Sequence, residues 1–287
     1  MTRRLSTNVA VLDHELSEIR LLLERYAGVL FDDSSEHFCE RFEQHLRARH
    51  LNSAAELLGL LQTSESERAA LAEHLLEHAG QFFRWPRIFE TLGKTVLPEI
   101  QARKASLGSR NLRIWSAGCG GGEEPYSIAM TVCGALEAAG PWNVHIVATD
   151  IRRQALEHAE RGLYDRRVLN GLSQDQLRHY FVRLGDQYLV KPRLRNLVSF
   201  APMNLADPPY LGRFDCIFCL DVLPHFSLPR RSALVERLHL YLEPGGCLFV
   251  GEGERLPAHG VTFHSCSHQG YTAYQKPLAA AARSGKG

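Results

Sequence analysis

The stretch that most limits how this chain can fold runs from Leu112 to Ile128: Leu-Arg-Ile-Trp-Ser-Ala-Gly-Cys-Gly-Gly-Gly-Glu-Glu-Pro-Tyr-Ser-Ile. A short apolar run passes into a turn with almost no side chains, and a helix start follows. That order is the opening unit of a parallel α/β sheet. A turn of this composition lets the backbone approach a ligand closely and points amide groups at it. Gly118-Cys119-Gly120-Gly121-Gly122 alone is a weak signal. The residues after it say more, because Glu123 and Glu124 stand where a phosphate site would place lysine or serine. Two carboxylates repel a pyrophosphate and suit a cationic or hydroxyl-rich ligand.

The chain beyond residue 112 continues as strand, helix, strand, helix, so a mostly parallel sheet covered on both faces is expected. Helix Glu124–Ala138 leads to strand Val144–Ala148, which ends in Thr149-Asp150. An acidic residue at the tip of the second strand is where such folds hold ribose hydroxyls. It lies 28 positions after Gly122 rather than about 20, which an extended first helix explains. The two carboxylates at the turn direct the reading away from NAD or ATP and towards S-adenosylmethionine, whose sulfonium and amino groups are positive. Residues 163–200 break the rhythm: Tyr164, Leu177, Tyr180, Phe181, Tyr188, Val190 and Phe200 sit in short runs around a Gly185-Asp186 turn. A small antiparallel insertion is expected there. Asn204-Leu205 closes the next strand, Phe214–Leu223 reads as a central buried strand, and Pro224-His225-Phe226 begins the loop beyond it. A helix over Arg230–Leu242, a strand over Cys247–Gly251, a hairpin over Val261–Lys276 and a frayed tail at 279–287 complete this part.

The first 75 residues read as helices. Leu12, Leu16, Ile19, Leu22 and Leu23 recur at helical spacing, and Asp32-Asp33-Ser34-Ser35 offers caps for a second helix. On that helix Phe38, Phe42 and Leu46 form one stripe and Arg41, His45 and Arg49 another. The second stripe is either a solvated charged side or a basic ridge facing an acidic partner. Ser53-Ala54-Ala55-Glu56 and Ser64-Glu65-Ser66-Glu67 resemble capping boxes opening two more helices. Gln81–Pro86 gathers three aromatics, an arginine and a proline, and the helix after it, to about Lys104, is expected to kink or restart at Pro98. Charge supports two units. Residues 1–80 carry 8 Arg/Lys against 14 Asp/Glu, a balance of −6, and the remainder 25 against 18, or +7. A total of +1 gives no support to nucleic acid or an acidic membrane surface. No run of about 18 apolar residues predicts a membrane span, and no targeting peptide is read at the start. The seven cysteines are scattered and odd in number, which suits free thiols in a cytoplasmic protein. Cys216-Ile217-Phe218-Cys219 has zinc-knuckle spacing without a second pair and reads as buried strand; no metal site is expected.

Taken together the residues resemble one family, the CheR-type protein-glutamate methyltransferases of bacterial chemotaxis. The likeness covers nearly the whole chain. It rests on Phe82-Phe83-Arg84, on Ile114–Cys119 followed by Gly122–Ser127, and on Ala148-Thr149-Asp150-Ile151. It continues through Tyr180-Phe181, Tyr188-Leu189-Val190, Val198-Ser199-Phe200, Asn204-Leu205, Phe214–Cys219 and Pro244-Gly245-Gly246. The resemblance implies a Rossmann-like class I methyltransferase domain with a small antiparallel β insertion, preceded by an all-α N-terminal domain. On this chain that places a receptor-facing helical domain at 1–75, a linker and leading helix at 76–110, and the methyltransferase domain at 111–278 with its β subdomain at about 163–200. The implied reaction is methyl transfer from S-adenosylmethionine to glutamate side chains of a chemoreceptor or similar helical signalling protein, leaving S-adenosylhomocysteine.

By motif match, Arg84, Gly118, Glu124, Asp150, Asn204, Leu205, Leu220 and Asp221 are implied at the cofactor. Arg84 and His225 are implied at the reacting groups, and Arg41, His45 and Arg49 at the receptor. Five positions depart from the family pattern. His78 and Gly80 replace an asparagine and a threonine, Leu220-Asp221 replaces Arg-Asn, and His225 replaces a tyrosine. Arg183–Gln187 lacks the glycine-rich loop of members that dock on a receptor's C-terminal peptide, so no tethering is expected. The altered rim keeps a non-catalytic cofactor-binding module as an alternative. A methyltransferase for another acceptor is a further one, disfavoured because a small acceptor needs neither the helical domain nor the insertion.

Overall fold

A computed structural model describes residues 2–4, 10–31, 36–76, 80–257, 260–268 and 270–278. The chain opens with a strand pair that helical periodicity did not foresee: β1 (Thr2–Arg4) runs antiparallel to β2 (Ala10–Leu12). Four helices follow: α1 (Asp13–Ala27), α2 (Glu36–Ala48), α3 (Ala54–Thr63) and α4 (Glu65–Leu75). Ser53 and Ser64 cap their helices by their hydroxyls, without the reciprocal bond that completes a capping box. The Ser53 hydroxyl accepts from the Glu56 N–H at 3.2 Å while the Glu56 carboxylate accepts from the Asn52 N–H at 2.9 Å, and the Ser64 hydroxyl accepts from the Glu67 N–H at 3.2 Å. The expected caps at 32–35, the tail at 279–287 and His78 lie outside the described residues.

The segment after the linker is helical throughout. Helices α5 (Pro86–Thr91) and α6 (Leu97–Ser106) are joined by a π-helical turn at Leu92–Val96. Pro98 explains it. Proline has no N–H to offer and its ring collides with the carbonyl four residues back, and a wider turn, with the Leu97 N–H reaching Leu92 O, accommodates both without breaking the helix.

The α/β part contains β3 (Asn111–Ala117), α7 (Glu123–Leu136), β4 (Asn143–Asp150) and α8 (Arg153–Arg161). An insertion then supplies β5 (Leu163–Asp165), α9 (Gln174–Tyr180), β6 (Phe181–Leu184), β7 (Gln187–Val190) and α10 (Pro192–Arg195). The chain returns through β8 (Val198–Pro202), β9 (Phe214–Cys219), α11 (Leu228–Tyr241), β10 (Leu242–Val250), β11 (His264–His268) and β12 (Tyr271–Gln275). One seven-stranded sheet has the order β11-β12-β10-β9-β3-β4-β8, parallel from β10 to β8 and antiparallel at the β12 edge. This is a Rossmann-like α/β architecture with a β insertion. The inserted sheet, β5-β7-β6, is antiparallel. It is shorter than the expected 163–200, because Val198-Ser199-Phe200 pairs in parallel with Val147 and Ala148 of β4 as the main sheet's edge. Alternating residues in a short run suit either an insertion strand or a sheet edge, so periodicity could not separate them.

Strand β9 is buried along its whole length, which places the Cys216 and Cys219 thiols inside the sheet layers. The helices of the first segment do not own a separate core. Leu16, Ile19, Leu23, Phe42, Leu57 and Leu71 form one continuous apolar cluster with Trp115, Ile217, Leu238 and Leu248 of the sheet side. The other face packs Ile114, Phe218 and Phe249 against α5, α6, α7 and the insertion. Among the described residues no helix is long and apolar enough to cross a membrane.

Candidate functional site

The carboxyl ends of β3, β4 and β9 open into one cavity of about 440 Å³, at the position where open parallel sheets bind ligands. Strand β3 hands over to the glycine turn at its tip. The Gly118 and Cys119 N–H groups both donate to Thr149 O, at 2.8 and 2.9 Å. Gly118 has φ +86° and Gly122 +95°, and neither has room for a side chain. A Cβ on Gly118 would lie 2.6 Å from Val222 Cγ2, and one on Gly122 2.6 Å from the Tyr164 hydroxyl and 2.7 Å from Ala159 Cβ. Tyr164 belongs to the insertion and donates to Gly121 O at 2.7 Å, so the inserted sheet props the turn from behind.

Three carboxylates approach the turn. Glu124 is half-buried, lining the cavity, and its Oε1 accepts from the Ser116 hydroxyl at 2.5 Å. Burial pushes its pKa up to about 8, opposed by the Ser116 bond and assisted by the charges of Asp221 and Asp150. Burial also raises Glu123, whose carboxyl fills the place a side chain at position 80 would take: a Cβ on Gly80 would stand 2.2 Å from it. Asp150, 6% exposed, ends β4. Its Oδ2 accepts from the Gly120 N–H at 2.8 Å and its Oδ1 from the Arg152 N–H at 2.9 Å and the Arg152 Nε–H at 3.1 Å. The Cys119 thiol is driven well up by burial and by Asp150, so no thiolate nucleophile is present.

The opposite rim is built by the linker and the loop after β9. Phe83 adopts φ +52°, with its N–H donating to the Ser127 hydroxyl at 3.0 Å and its ring edge-on to Phe89 at 5.0 Å. This turn sets Arg84 and Trp85 over the cavity. The Trp85 indole N–H donates to Asp221 Oδ2 at 2.9 Å, and Arg84 Nε lies 3.4 Å from the same oxygen. Asp221 itself has φ +58°, in the left-handed region, which aspartate enters more readily than most side chains. Glu254 secures it by accepting from the Asp221 N–H at 3.2 Å and the Gly251 N–H at 2.5 Å.

The helical segment closes the remaining side. Ala27 and Val29 line the cavity. The Leu30 N–H donates to His225 O at 2.6 Å. Helix α4 reaches over as well, its Glu73 carboxylate accepting from the Arg153 N–H at 2.9 Å and the Gln154 N–H at 3.4 Å at the start of α8.

Arg84, Gly118, Glu124, Asp150, Asn204, Leu205, Leu220, Asp221 and His225 all line this one cavity. Arg41, His45 and Arg49 do not line it; Arg49 is exposed and Arg41 half-buried, but His45 is turned inward. His45 is 6% exposed, meets Glu67 of α4 at 2.9 Å, and is held below the usual histidine range by burial. Arg49 Nε turns to the same carboxylate at 3.0 Å. Periodicity marks a stripe without saying that α4 covers it. Sequence reasoning did not place Trp85, Arg152, Val222, Met203 or Glu254 at the site. Trp85 sat in the segment already noted for its aromatics, and Arg152 two residues past Asp150, but nothing local announced either contact.

Residues 78–272 match the family described as CheR methyltransferase, SAM binding domain. Over 256 residues the chain is 36% identical to chemotaxis protein methyltransferase 1 of Pseudomonas aeruginosa, spanning 85% of this chain and 90% of that relative. It is 33% identical over 258 residues to the chemotaxis protein methyltransferase of Vibrio anguillarum, spanning 87% and 92%. The corresponding protein of Escherichia coli is 34% identical over 266 residues, spanning 89% and 88%. The cofactor of the matched domain is S-adenosylmethionine, and the residues present fit it. A turn that excludes side chains admits the nucleoside, and the Glu123, Glu124, Asp150 and Asp221 carboxylates face a positively charged ligand.

Proposed function

This chain belongs to the CheR methyltransferase family, and we propose that it transfers a methyl group from S-adenosylmethionine to glutamate side chains of a chemoreceptor or related helical signalling protein in the cytoplasm. The observation that carries the acceptor class is Arg84. Its guanidinium stands at the mouth of the cavity, 48% exposed along its side chain, where it can grip an incoming carboxylate by paired hydrogen bonds. S-adenosylmethionine supplies an electrophilic methyl carbon with a neutral thioether as leaving group. A glutamate carboxylate is ionised at neutral pH, so its oxygen needs no base; the C–O bond forms as the C–S bond breaks. The task left to the protein is alignment. Asp150 would hold the ribose hydroxyls, Glu124 a positive or donor group of the cofactor, Asn204 and Leu205 the base side, and Arg84 and His225 the acceptor.

His45 is buried against α4 while Arg49 stays 45% exposed along its side chain, and the proposal does not depend on this stripe. One observation favours a second reading, a cofactor-binding module without turnover: Asp221 already faces Arg84 as an internal carboxylate. Incubation with methyl-labelled S-adenosylmethionine and the cytoplasmic fragments of chemoreceptors from the same organism separates the two. Label in a base-labile ester, reduced in Arg84→Ala, supports transfer. Cofactor binding with no ester on any receptor supports the module.

A further inference from the structure

We propose that the Arg152 side chain is a displaceable counter-ion that holds the ribose-accepting positions of Asp150 until the cofactor takes them. The inference rests on Asp150 as the ribose carboxylate. A carboxylate offers about four acceptor positions, two on each oxygen. On Oδ1 one goes to the Arg152 backbone N–H at 2.9 Å and one to the Arg152 Nε–H at 3.1 Å. On Oδ2 one goes to the Gly120 N–H at 2.8 Å and one faces Arg152 Nη2 at 3.5 Å. The two backbone donors are fixed by the turn and by the start of α8. The other two positions, one on each oxygen, belong to a single movable guanidinium. Two vicinal ribose hydroxyls need one position on each oxygen, so they need the places the guanidinium fills.

The surroundings fit an exchange. Arg152 and Asp150 side chains are 12% and 8% exposed, so the pair is sheltered enough for its loss to matter. Arg152 Nη2 also lies 3.3 Å from where a Cβ on Gly120 would stand, which sets the guanidinium across the glycine turn and inside the cavity. Glu123, Glu124, Asp150 and Asp221 line the same space, and a cation among them offsets their mutual repulsion while the ligand is away. The cofactor brings positive groups of its own when it enters. Glu73 accepts from the Arg153 and Gln154 N–H groups, so the start of α8 is held independently of the Arg152 guanidinium.

Calorimetric titration of the full chain with S-adenosylhomocysteine, which lacks the sulfonium charge, tests this. Arg152→Gln is expected to bind it about tenfold more tightly than the unaltered chain, since no charge-assisted contact has to be broken. Arg152→Lys, which keeps the charge but lacks the fork, is expected to fall between and guards against a misfolded glutamine variant. The 2′-deoxy analogue, which needs one position on Asp150, should gain about threefold or less. Equal or weaker binding of S-adenosylhomocysteine by both folded variants, or an equal gain for the deoxy analogue, overturns the exchange. No binding by any form overturns the ribose reading beneath it.

Discussion

On the floor of the cavity, Cys119, Gly122 and Asp150 are buried, Glu124 is half-buried and bonded to the Ser116 hydroxyl, and several of these groups are held from two directions. Asp150 alone accepts two backbone N–H groups, and the turn is propped by Tyr164. At the rim, Arg84 and Asp221 are 48% and 36% exposed and meet through one contact of 3.4 Å. Every position at which the sequence departs from the family pattern and which the structure describes lies on the rim side or against Glu123: Gly80, Leu220, Asp221 and His225. Burial and multiple bonds make the floor costly to alter, whereas a solvated contact tolerates change at a cost of about 0–1 kcal/mol. On the proposed reading, the comparison divides cofactor capture, on the floor, from acceptor choice, at the rim. Substitutions can test that separation in order of expected effect.

The largest effect should come from the floor. Gly122→Ala forces a Cβ between Tyr164 and Ala159 at φ +95°. Left-handed backbone costs about 1–2 kcal/mol and overpacking about 1–3 kcal/mol, so urea unfolding should show a loss of about 3 kcal/mol together with loss of cofactor binding. Gly185→Ala, at φ +62° with nothing within 4 Å, isolates the backbone share and should lose only about 1–2 kcal/mol. Equal losses would mean that crowding at the turn is not what fixes it.

Arg84→Ala should lower kcat/KM for a receptor acceptor about 100-fold while S-adenosylhomocysteine affinity moves less than about threefold. A collapse of both would join rim and floor into one unit.

Glu124 sharpens the picture through pH. In the unfolded chain its carboxyl ionises near the ordinary value of 4.5, in the folded ligand-free protein near 8. Between those values the unfolded chain binds fewer protons, so this group's contribution to stability is present at low pH and is lost as pH rises towards 8. Glu124→Gln should therefore raise the thermal midpoint of the ligand-free protein by several degrees at pH 8 and by little near pH 5, as read by calorimetric scans. In the unaltered protein, cofactor affinity should climb from pH 6 to 8 as ionised Glu124 becomes cheaper to form, and Glu124→Gln should flatten that climb.

The smallest effect belongs to Asp221→Asn. An asparagine oxygen can still accept from Trp85, and only the half-exposed ion pair with Arg84 is lost, so kcat/KM should change less than about fivefold. A larger change would show that the rim is organised as tightly as the floor.

The floor was legible in the sequence because it is local. A strand, a glycine turn and a carboxylate at the next strand's tip follow one another along the chain, and period and turn chemistry report such neighbours. The rim is made by residues far apart: Trp85 reaches Asp221 across 136 positions, and no periodicity encodes that meeting. His45 failed as a surface residue for a related reason, since the α2 pattern shows two stripes but not the arrival of α4 over one of them. The β8 strand was assigned to the insertion because alternation alone does not name a strand's partner. The shared core was hidden by composition, as opposite net charges on two segments say nothing of the apolar faces that join them.

The central claim, that the floor is a working S-adenosylmethionine site anchored at Asp150, is tested most directly by calorimetric titration of the unaltered chain and of Asp150→Ala. Two lost hydrogen bonds to a charged acceptor, at about 1.5 kcal/mol each, correspond to at least about 100-fold. The account predicts micromolar binding by the unaltered chain and a loss of that size in the variant. No binding by the unaltered chain, or equal affinity in Asp150→Ala, would contradict it.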